Sequence, residues 1–368
     1  MESEPVALIV GVTGMTGLSL AEALKSPTAL GGPWKVFGAA RRPMPTWFPS
    51  TNVDKYITFN STNVDDTRRQ LSLLRHQISH VFWVALSANT NEEDNISTNS
   101  TMLANVLNTL LEPPSRLRHV TLQTGTKHYL GPLFDPTHHG VTHDPPFHED
   151  LPRLPYRNFY YALEDMTASY VPSITYSIHR PCYIIGASSR STYNLLLAIA
   201  IYAAICRHEG VPFKYPGNQF TWEHLYDFTD ASLLAEHHIW AAVTDKAHNE
   251  AFNCTNGDVF MWKSLWKALS NIFNVEFVEF NESDRFDIVE LMKEKGQVWD
   301  AIVEKHGLCK AKLEEICCFD ILKFSVNVEV QFVSSMNKSR DFGFVGYVDT
   351  FKSIQLWVNR LRRMKVIP

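Results

Sequence analysis

The chain has 368 residues and is 45% hydrophobic, enough to bury a substantial core in one large domain or two coupled ones. A formal charge of −5 argues against a basic stripe for nucleic acid but leaves room for a local cationic pocket. There is no CxxC among the six cysteines (Cys182, Cys206, Cys254, Cys309, Cys317 and Cys318), no basic-then-apolar leader, and no apolar run of the ~18–20 residues that span a membrane, so the expectation is a cytoplasmic protein without disulfides or a membrane span.

In chain order, Val6 to Val10 is a short apolar run closed by Gly11 and reads as a buried strand. "GVTGMTG" follows, and "LSLAEALKS" reads as a helix. "WKVFGAARR" is a second strand ending in arginines, "KYITFN" a third and "ISHVFWVAL" a fourth. Asn99 to Leu111 is helical, "RHVTLQTG" is a fifth strand, a helix opens at Asn158, and "ITYSIHRPCYIIG" is a sixth strand. The alternation predicts an α/β fold, a Rossmann-like doubly wound parallel sheet with helices on both faces. The second half is less regular. Leu195 to Arg207 reads as an apolar helix, "TWEHLYDFTDASLLAEHHIWAAVTD" as a loop that becomes a long helix, and "AFNCTNGDVFMWKSLWKALSNIF" as strand, turn and helix. "SDRFDIVELMKEKGQVWDAIVEKHG" is mostly helical.

Gly11, Gly14 and Gly17 form G-x-x-G-x-x-G between the first strand and the first helix. Gly11 permits a tight turn, Gly14 close approach of backbone to ligand, and Gly17 close packing of helix on sheet, so that the helix N-terminus can receive a pyrophosphate. Such a pattern is weak by itself; its position after the first strand is what points to dinucleotide binding. An acidic residue at the end of the second strand would accept the ribose hydroxyls of NAD. "GAARRP" instead offers Arg41 and Arg42, whose guanidinium groups suit a 2′-phosphate, and this favours NADP(H). The expected organisation is an NADP(H)-binding Rossmann-like domain over 1–185. A smaller, mostly helical substrate lobe over 186–368 covers the carboxyl edge of the sheet, with some late segments returning to the first domain.

"NFYYALED" sets Tyr160 and Tyr161 on the first turns of a helix. A catalytic tyrosine of a dinucleotide-dependent reductase often has a lysine four residues on. Here those positions hold Glu164 and Asp165. Lys127, in "TLQTGTKHYLGP" at the carboxyl end of the fifth strand, is the lysine that a doubly wound sheet could bring beside Tyr160. A phenol with an ordinary pKa near 10 is a natural donor to a carbonyl oxygen gaining negative charge.

These motifs, with "ALIVGVTGMTG", "HVFWVALSA", "DPPFHEDLPRLPYRNFYYALED", "FNCTNGDVFMWKSLWKAL" and "SSMNKS", closely resemble the plant progesterone 5β-reductase and iridoid synthase family, a divergent branch of the extended short-chain dehydrogenase/reductases. The resemblance covers nearly the whole chain. It implies Lys127 and Tyr160 as the catalytic pair, with Tyr161 a packed neighbour. It implies NADPH-dependent conjugate reduction of an enone or enal, hydride going to the β-carbon and Tyr160 stabilising the enolate oxygen. Iridoid synthase-like members take 8-oxogeranial and pass the product toward a downstream iridoid cyclase. Steroid-active members take a Δ4-3-ketosteroid such as progesterone. The expected partner is thus a small apolar substrate, with a homodimer as a further expectation.

The expected cofactor contacts extend the glycine turn with Thr13, Met15 and Thr16, and the third strand's end with Asn60 and Ser61. Leu86 and Ser87, after the fourth strand, can touch cofactor or be loop structure. Thr124 and Gly125 precede Lys127, and Pro181, Tyr183 and Ile184 follow the sixth strand. Leu133, Tyr193 and Phe319 join Lys127 and Tyr160 as candidate substrate contacts, with core packing the equal alternative for Phe319. The chain departs from the family at Leu133 (commonly phenylalanine), at Cys182 and Tyr183 (a glycine–asparagine pair) and at Asn60 (often aspartate). His138, His139, His237 and His238 lack metal-ligand spacing, and Asp144, Glu149 and Asp150 read as loop-positioning residues rather than a glycosidase dyad. The competing functions are a short-chain reductase or dehydrogenase acting on a carbonyl or alcohol, and a non-catalytic NADP-binding regulator.

Overall fold

All five residues of Val6–Val10 (β1) are buried, which an apolar run achieves only as a central strand covered on both faces. The computed structural model describes residues 4–131 and 142–368. The chain divides into two compact units, Met1–Pro181 with Ala231–Cys254 and Ser335–Gly346, and Cys182–Asp230 with Thr255–Ser334 and Tyr347–Pro368.

In the first unit β1 is followed by α1 (Met15–Leu24), β2 (Lys35–Ala40), β3 (Lys55–Thr58), α2 (Val64–Leu71), β4 (His80–Trp83), α3 (Glu92–Leu111), β5 (His119–Gln123), α4 (Phe159–Ala168) and β6 (Thr175–Pro181). A seventh strand, Glu250–Cys254, pairs parallel with β6. The sheet order is seventh strand, β6, β5, β4, β1, β2, β3, and every pairing is parallel. The order reverses between β1 and β4, the switch point where open α/β sheets bind ligands at the carboxyl ends of their strands. Alternation along β1 feeds two cores. Val6, Leu8 and Val10 join Leu103 and Leu107 of α3 and Leu163 of α4. Ala7 and Ile9 join Leu20 of α1 and Ile239 of the helix Ala231–Val243. Each fully buried Leu, Ile or Val contributes about 1.5–3 kcal/mol.

Two boundaries differ from the sequence reading. Helix α3 starts at Glu92, not Asn99, because Asn91 caps it through the Asp94 N–H and three acids occupy its first turn. The strand read through to Gly186 stops at Pro181; Ile184–Ile185 pairs instead with Thr229–Asp230.

The second unit is built on the helix Leu195–Glu209, buried from Leu195 through Cys206 and closed by Gly210 in the left-handed conformation. An aromatic cluster packs beside it, with Phe213 stacked on Trp266 at 4.2 Å between ring centroids and the Trp266 Nε1–H donating to the Phe213 carbonyl. Among the described residues no helix is long and apolar enough to cross a membrane. All six cysteines are free.

Candidate active site

Gly11 ends β1 with φ +99°, and a side chain there would put its Cβ 2.9 Å from the Ala85 nitrogen after β4. A Cβ on Gly17 would overlap the Gly11 carbonyl oxygen. The turn therefore needs glycine at both places, once for its dihedral and once for space. Gly14 occupies the N-cap of α1 and no side chain caps that end. Thr13 and Thr16 are buried in the turn and Met15 is half-buried. Arg41 and Arg42 are exposed directly after β2, and the Arg42 carbonyl accepts from the Tyr56 hydroxyl. An uncapped helix start beside a glycine turn, with two guanidinium groups and no acid at the next strand end, fits NADP(H).

The other cofactor candidates divide by what holds them. Asn60 is exposed, and its Oδ1 accepts from the Thr62 N–H and hydroxyl, so the carboxamide shapes its own turn. Ser61 is buried, its carbonyl held by Asn105 Nδ2 at 2.9 Å. Leu86 is exposed; Ser87 is fixed through both backbone groups by the buried Asn99 side chain. Tyr183 and Ile184 belong to the second unit, where the Tyr183 carbonyl accepts from the Thr229 N–H and its ring packs against Phe332. Of the substrate candidates, Tyr193 is exposed on the second unit, Phe319 is buried in it, and Leu133 lies outside the described residues. His138 and His139 also lie outside them.

Gly125, Tyr160 and Pro181 converge from three elements. A Cβ on Gly125 would lie 3.2 Å from the Tyr160 hydroxyl and 3.3 Å from the Pro181 carbonyl oxygen. Helix α4 is capped by Asn158, whose Oδ1 accepts from the Tyr160 N–H while its Nδ2 donates to the Lys127 carbonyl. One asparagine thus ties the start of the tyrosine helix to the lysine turn, Thr126–Tyr129. The Tyr160 side chain is half-buried, and its hydroxyl makes no hydrogen bond with the described residues. Burial, assisted by the Glu92 charge, pushes its pKa above the ordinary tyrosine value. The phenol is accordingly a proton-bearing donor at neutral pH.

The Lys127 ammonium is paired with a carboxylate rather than with the tyrosine. Its Nζ lies 2.5 Å from Glu92 Oε2 and 4.7 Å from the centre of the Phe159 ring. Tyr161 is locked: its hydroxyl donates to the His128 carbonyl at 2.6 Å and accepts from the Leu154 N–H.

The position four residues after Tyr160 is not empty of function. Glu164 is buried and accepts from Arg180 Nε at 3.1 Å and Nη2 at 2.9 Å, and from the Thr124 hydroxyl at 3.3 Å. His128 Nδ1 lies 3.3 Å from the same carboxylate. Burial alone would raise the Glu164 pKa, but the adjacent His128 and the Arg180 guanidinium outweigh it and hold the carboxyl at about 2. Arg180 continues to the Tyr129 hydroxyl, which donates to Asn253 Oδ1 at 2.6 Å. This carboxylate binds α4 to β6 and to the turn that carries Lys127.

Sequence reasoning missed Glu92, Asn158 as a tether, and the Glu164–Arg180 pair. Asn91 before "EED" was the available signal for Glu92, because an N-cap residue followed by acids marks a helix start. His237 and His238 are buried hydrogen-bonding residues: His237 bridges His179 and the Ser339 hydroxyl, and His238 bonds the Thr121 hydroxyl. Glu149 accepts from the Asn253 N–H.

A seven-stranded parallel sheet with a glycine turn after β1 and a tyrosine helix beside the lysine turn defines a Rossmann-fold oxidoreductase of the short-chain type. A family model described as the PRISE-like Rossmann-fold domain matches residues 62–368. The chain is 44% identical over 368 residues to 3-oxo-Delta(4,5)-steroid 5-beta-reductase of Arabidopsis thaliana, covering 99% of this chain and 94% of the relative. It is 44% identical over 369 residues to (S)-8-oxocitronellyl enol synthase of Catharanthus roseus, covering 99% and 92% respectively. A solved UDP-glucose 4-epimerase of Thermotoga maritima superimposes with a TM-score of 0.66 at 14% identity, covering 97% of this chain and 99% of that one, and shows the shared fold. The chain belongs to the PRISE-like Rossmann-fold family. It is an NADPH-dependent oxidoreductase of the enone and enal reductase type.

Proposed function

We propose that the chain reduces the C=C bond of an α,β-unsaturated aldehyde or ketone by 1,4-addition, with 8-oxogeranial or a Δ4-3-ketosteroid such as progesterone as substrate. The names of the relatives support both substrate classes, one a steroid 5-beta-reductase and the other an 8-oxocitronellyl enol synthase. The observation that carries the assignment of roles is the Tyr160 hydroxyl, without a partner among the described residues and beside the side-chain-free Gly125.

When bound, NADPH supplies a hydride to the β-carbon. Tyr160 donates its O–H to the carbonyl oxygen, where negative charge accumulates as the enolate forms. A raised phenol pKa suits hydrogen-bond donation without complete proton transfer, and an enolate asks for little more because its charge is delocalised. Carbonyl reduction would instead leave an alkoxide that must be protonated at once. Lys127 contributes a positive charge and a donor on the strand-end side of the site. Arg41 and Arg42 hold the 2′-phosphate, and the uncapped start of α1 takes the pyrophosphate.

The test is NADPH turnover with 8-oxogeranial, progesterone and small enones, followed by identification of the products. A saturated C=C bond with the carbonyl intact is expected, the enolate taking its α-carbon proton from solvent. An alcohol with the C=C bond retained would sink the proposal in favour of a carbonyl reductase. Tight NADPH binding without turnover on the whole panel would favour a regulator. A homodimer, a downstream cyclase that consumes the released enol, and a cytoplasmic location complete the proposal; sedimentation, product trapping with and without a cyclase, and fractionation test them.

A further inference from the structure

Glu92 stands at the first helical position of α3, next to its cap Asn91. Its two carboxylate oxygens have different partners. Oε2 accepts from Lys127 Nζ at 2.5 Å, and Oε1 accepts from the backbone N–H of Phe159 at 2.6 Å. The first partner is 35 residues away in sequence and the second 67. Phe159 is the first residue of α4 and immediately precedes Tyr160. Its N–H is one of those at a helix start with no intrahelical acceptor. A carboxylate there satisfies the N–H and meets the positive end of the helix. The same carboxylate sets the direction of the Lys127 ammonium, which also lies over the Phe159 ring.

We propose that Glu92 is a positioning residue of the active site: one carboxylate clamps the Lys127 ammonium and the start of α4, and so sets the place of the Tyr160 phenol. This rests on the roles given to Tyr160 and Lys127 above. The charged and titratable groups facing Glu92 are Lys127 from the turn after β5 and Tyr160 from α4. On its own element Glu93 pairs outward with Arg157, both exposed, and Asp94 bonds back to Asn91. Glu92 thus does what neighbouring acids of the same turn do not. Its negative charge opposes loss of the Tyr160 proton, keeping the phenol a donor. Its geometry keeps the ammonium at the strand end.

The experiment measures single-turnover NADPH oxidation with progesterone or 8-oxogeranial, from neutral to alkaline pH, in Glu92→Gln, Glu92→Ala and Glu92→Asp. Glu93→Gln is the surface control and Tyr160→Phe the test of the underlying assignment. Glu92→Gln keeps an acceptor for the Phe159 N–H but loses the charge, so its rate is expected to fall about 10- to 100-fold, with Glu92→Ala lower still. The Kd for NADPH, read by fluorescence, should not rise, because removing a carboxylate adds no repulsion toward an anionic cofactor. The alkaline limb of the rate profile should move to lower pH in Glu92→Gln and Glu92→Ala and stay in place in Glu92→Asp, a response that a merely structural residue would not produce. Glu93→Gln should stay within about 2-fold of the unmodified protein, as expected for an exposed pair. The proposal is overturned if Glu92→Gln keeps its rate and its alkaline limb while Tyr160→Phe has lost turnover, or if Glu93→Gln falls as far as Glu92→Gln. Full turnover in Tyr160→Phe would instead remove the assignment on which the proposal stands. Circular dichroism and NADPH binding by fluorescence report separately whether each variant is folded.

Discussion

Tyr160 and Glu164 stand one turn apart on α4, and their surroundings are opposite. The Tyr160 hydroxyl has no hydrogen-bond partner among the described residues, and only burial and the Glu92 charge act on its titration. Glu164 is saturated, with Arg180, Thr124 and Arg153 donating to it and His128 adjacent. A hydroxyl that the fold leaves unpaired is one that a ligand can pair. The saturated end holds the helix so that the unsaturated end stays in place. A second buried polar layer lies between the sheet and the helix Ala231–Val243, where His119, His179, His237 and His238 are hydrogen-bonded to one another or to serine and threonine hydroxyls.

The largest expected effect is acid loss of that second layer. Burial depresses these histidines, His237 to about 3 and His119, His179 and His238 well below 6.5, and the half-buried His80 beside them, with Arg118 and Arg116 near it, to about 4. They are neutral in the fold, whereas in the unfolded chain they take up protons near pH 6.5. Stability is therefore fully present above about pH 6.5 and is lost as pH falls toward the depressed values, each such histidine adding to the loss. Urea midpoints measured from pH 8 downward should drop steeply below about pH 6.5. A flat profile to about pH 4 would show that the layer stays hydrated or charged.

Glu164→Ala should come next. It leaves Arg180 buried without its carboxylate and is expected to cost about 3–5 kcal/mol of unfolding free energy, read from urea denaturation at neutral pH. The pair Glu164→Leu with Arg180→Met should recover much of that loss, because no charge is then stranded. Tyr160→Phe makes the contrast from the other side. Rate should fall about 10²–10³-fold, the usual cost of one oxyanion donor, with the urea midpoint unchanged. A large stability loss in that variant would mean that its hydroxyl is structural after all. The smallest effect belongs to Tyr161→Phe. It deletes the bonds to His128 and Leu154, should cost about 1 kcal/mol, and should leave the rate within about 2-fold.

Much of the first unit was legible because strand and helix signals are local. "VALIV" can only be a buried strand, and "GVTGMTG" after it needs glycine for reasons that two neighbouring turns supply. The start of α3 was missed because "TNEEDNISTN" has no apolar period; its cap and acids were a weaker signal than hydrophobic spacing. The sixth strand was read too long because Cys182 to Gly186 is as apolar as what precedes it, whereas in the fold the Cys182 N–H goes to the Thr229 hydroxyl.

By itself the sequence determined the kind of cofactor turn, the arginines at the second strand end, and the identity of Tyr160 and Lys127 as candidates. Each depends on residue types within a few positions of one another. Only the tertiary structure decided that Lys127 is held by Glu92, that Glu164 is a strut rather than a missing lysine, and that Asn158 joins the tyrosine helix to the lysine turn. Those contacts close over 16 to 35 residues. Which carboxylate meets which cation at that range depends on the packing of α3 and α4 on one face of the sheet, a consequence of burying their apolar sides together that no local spacing records.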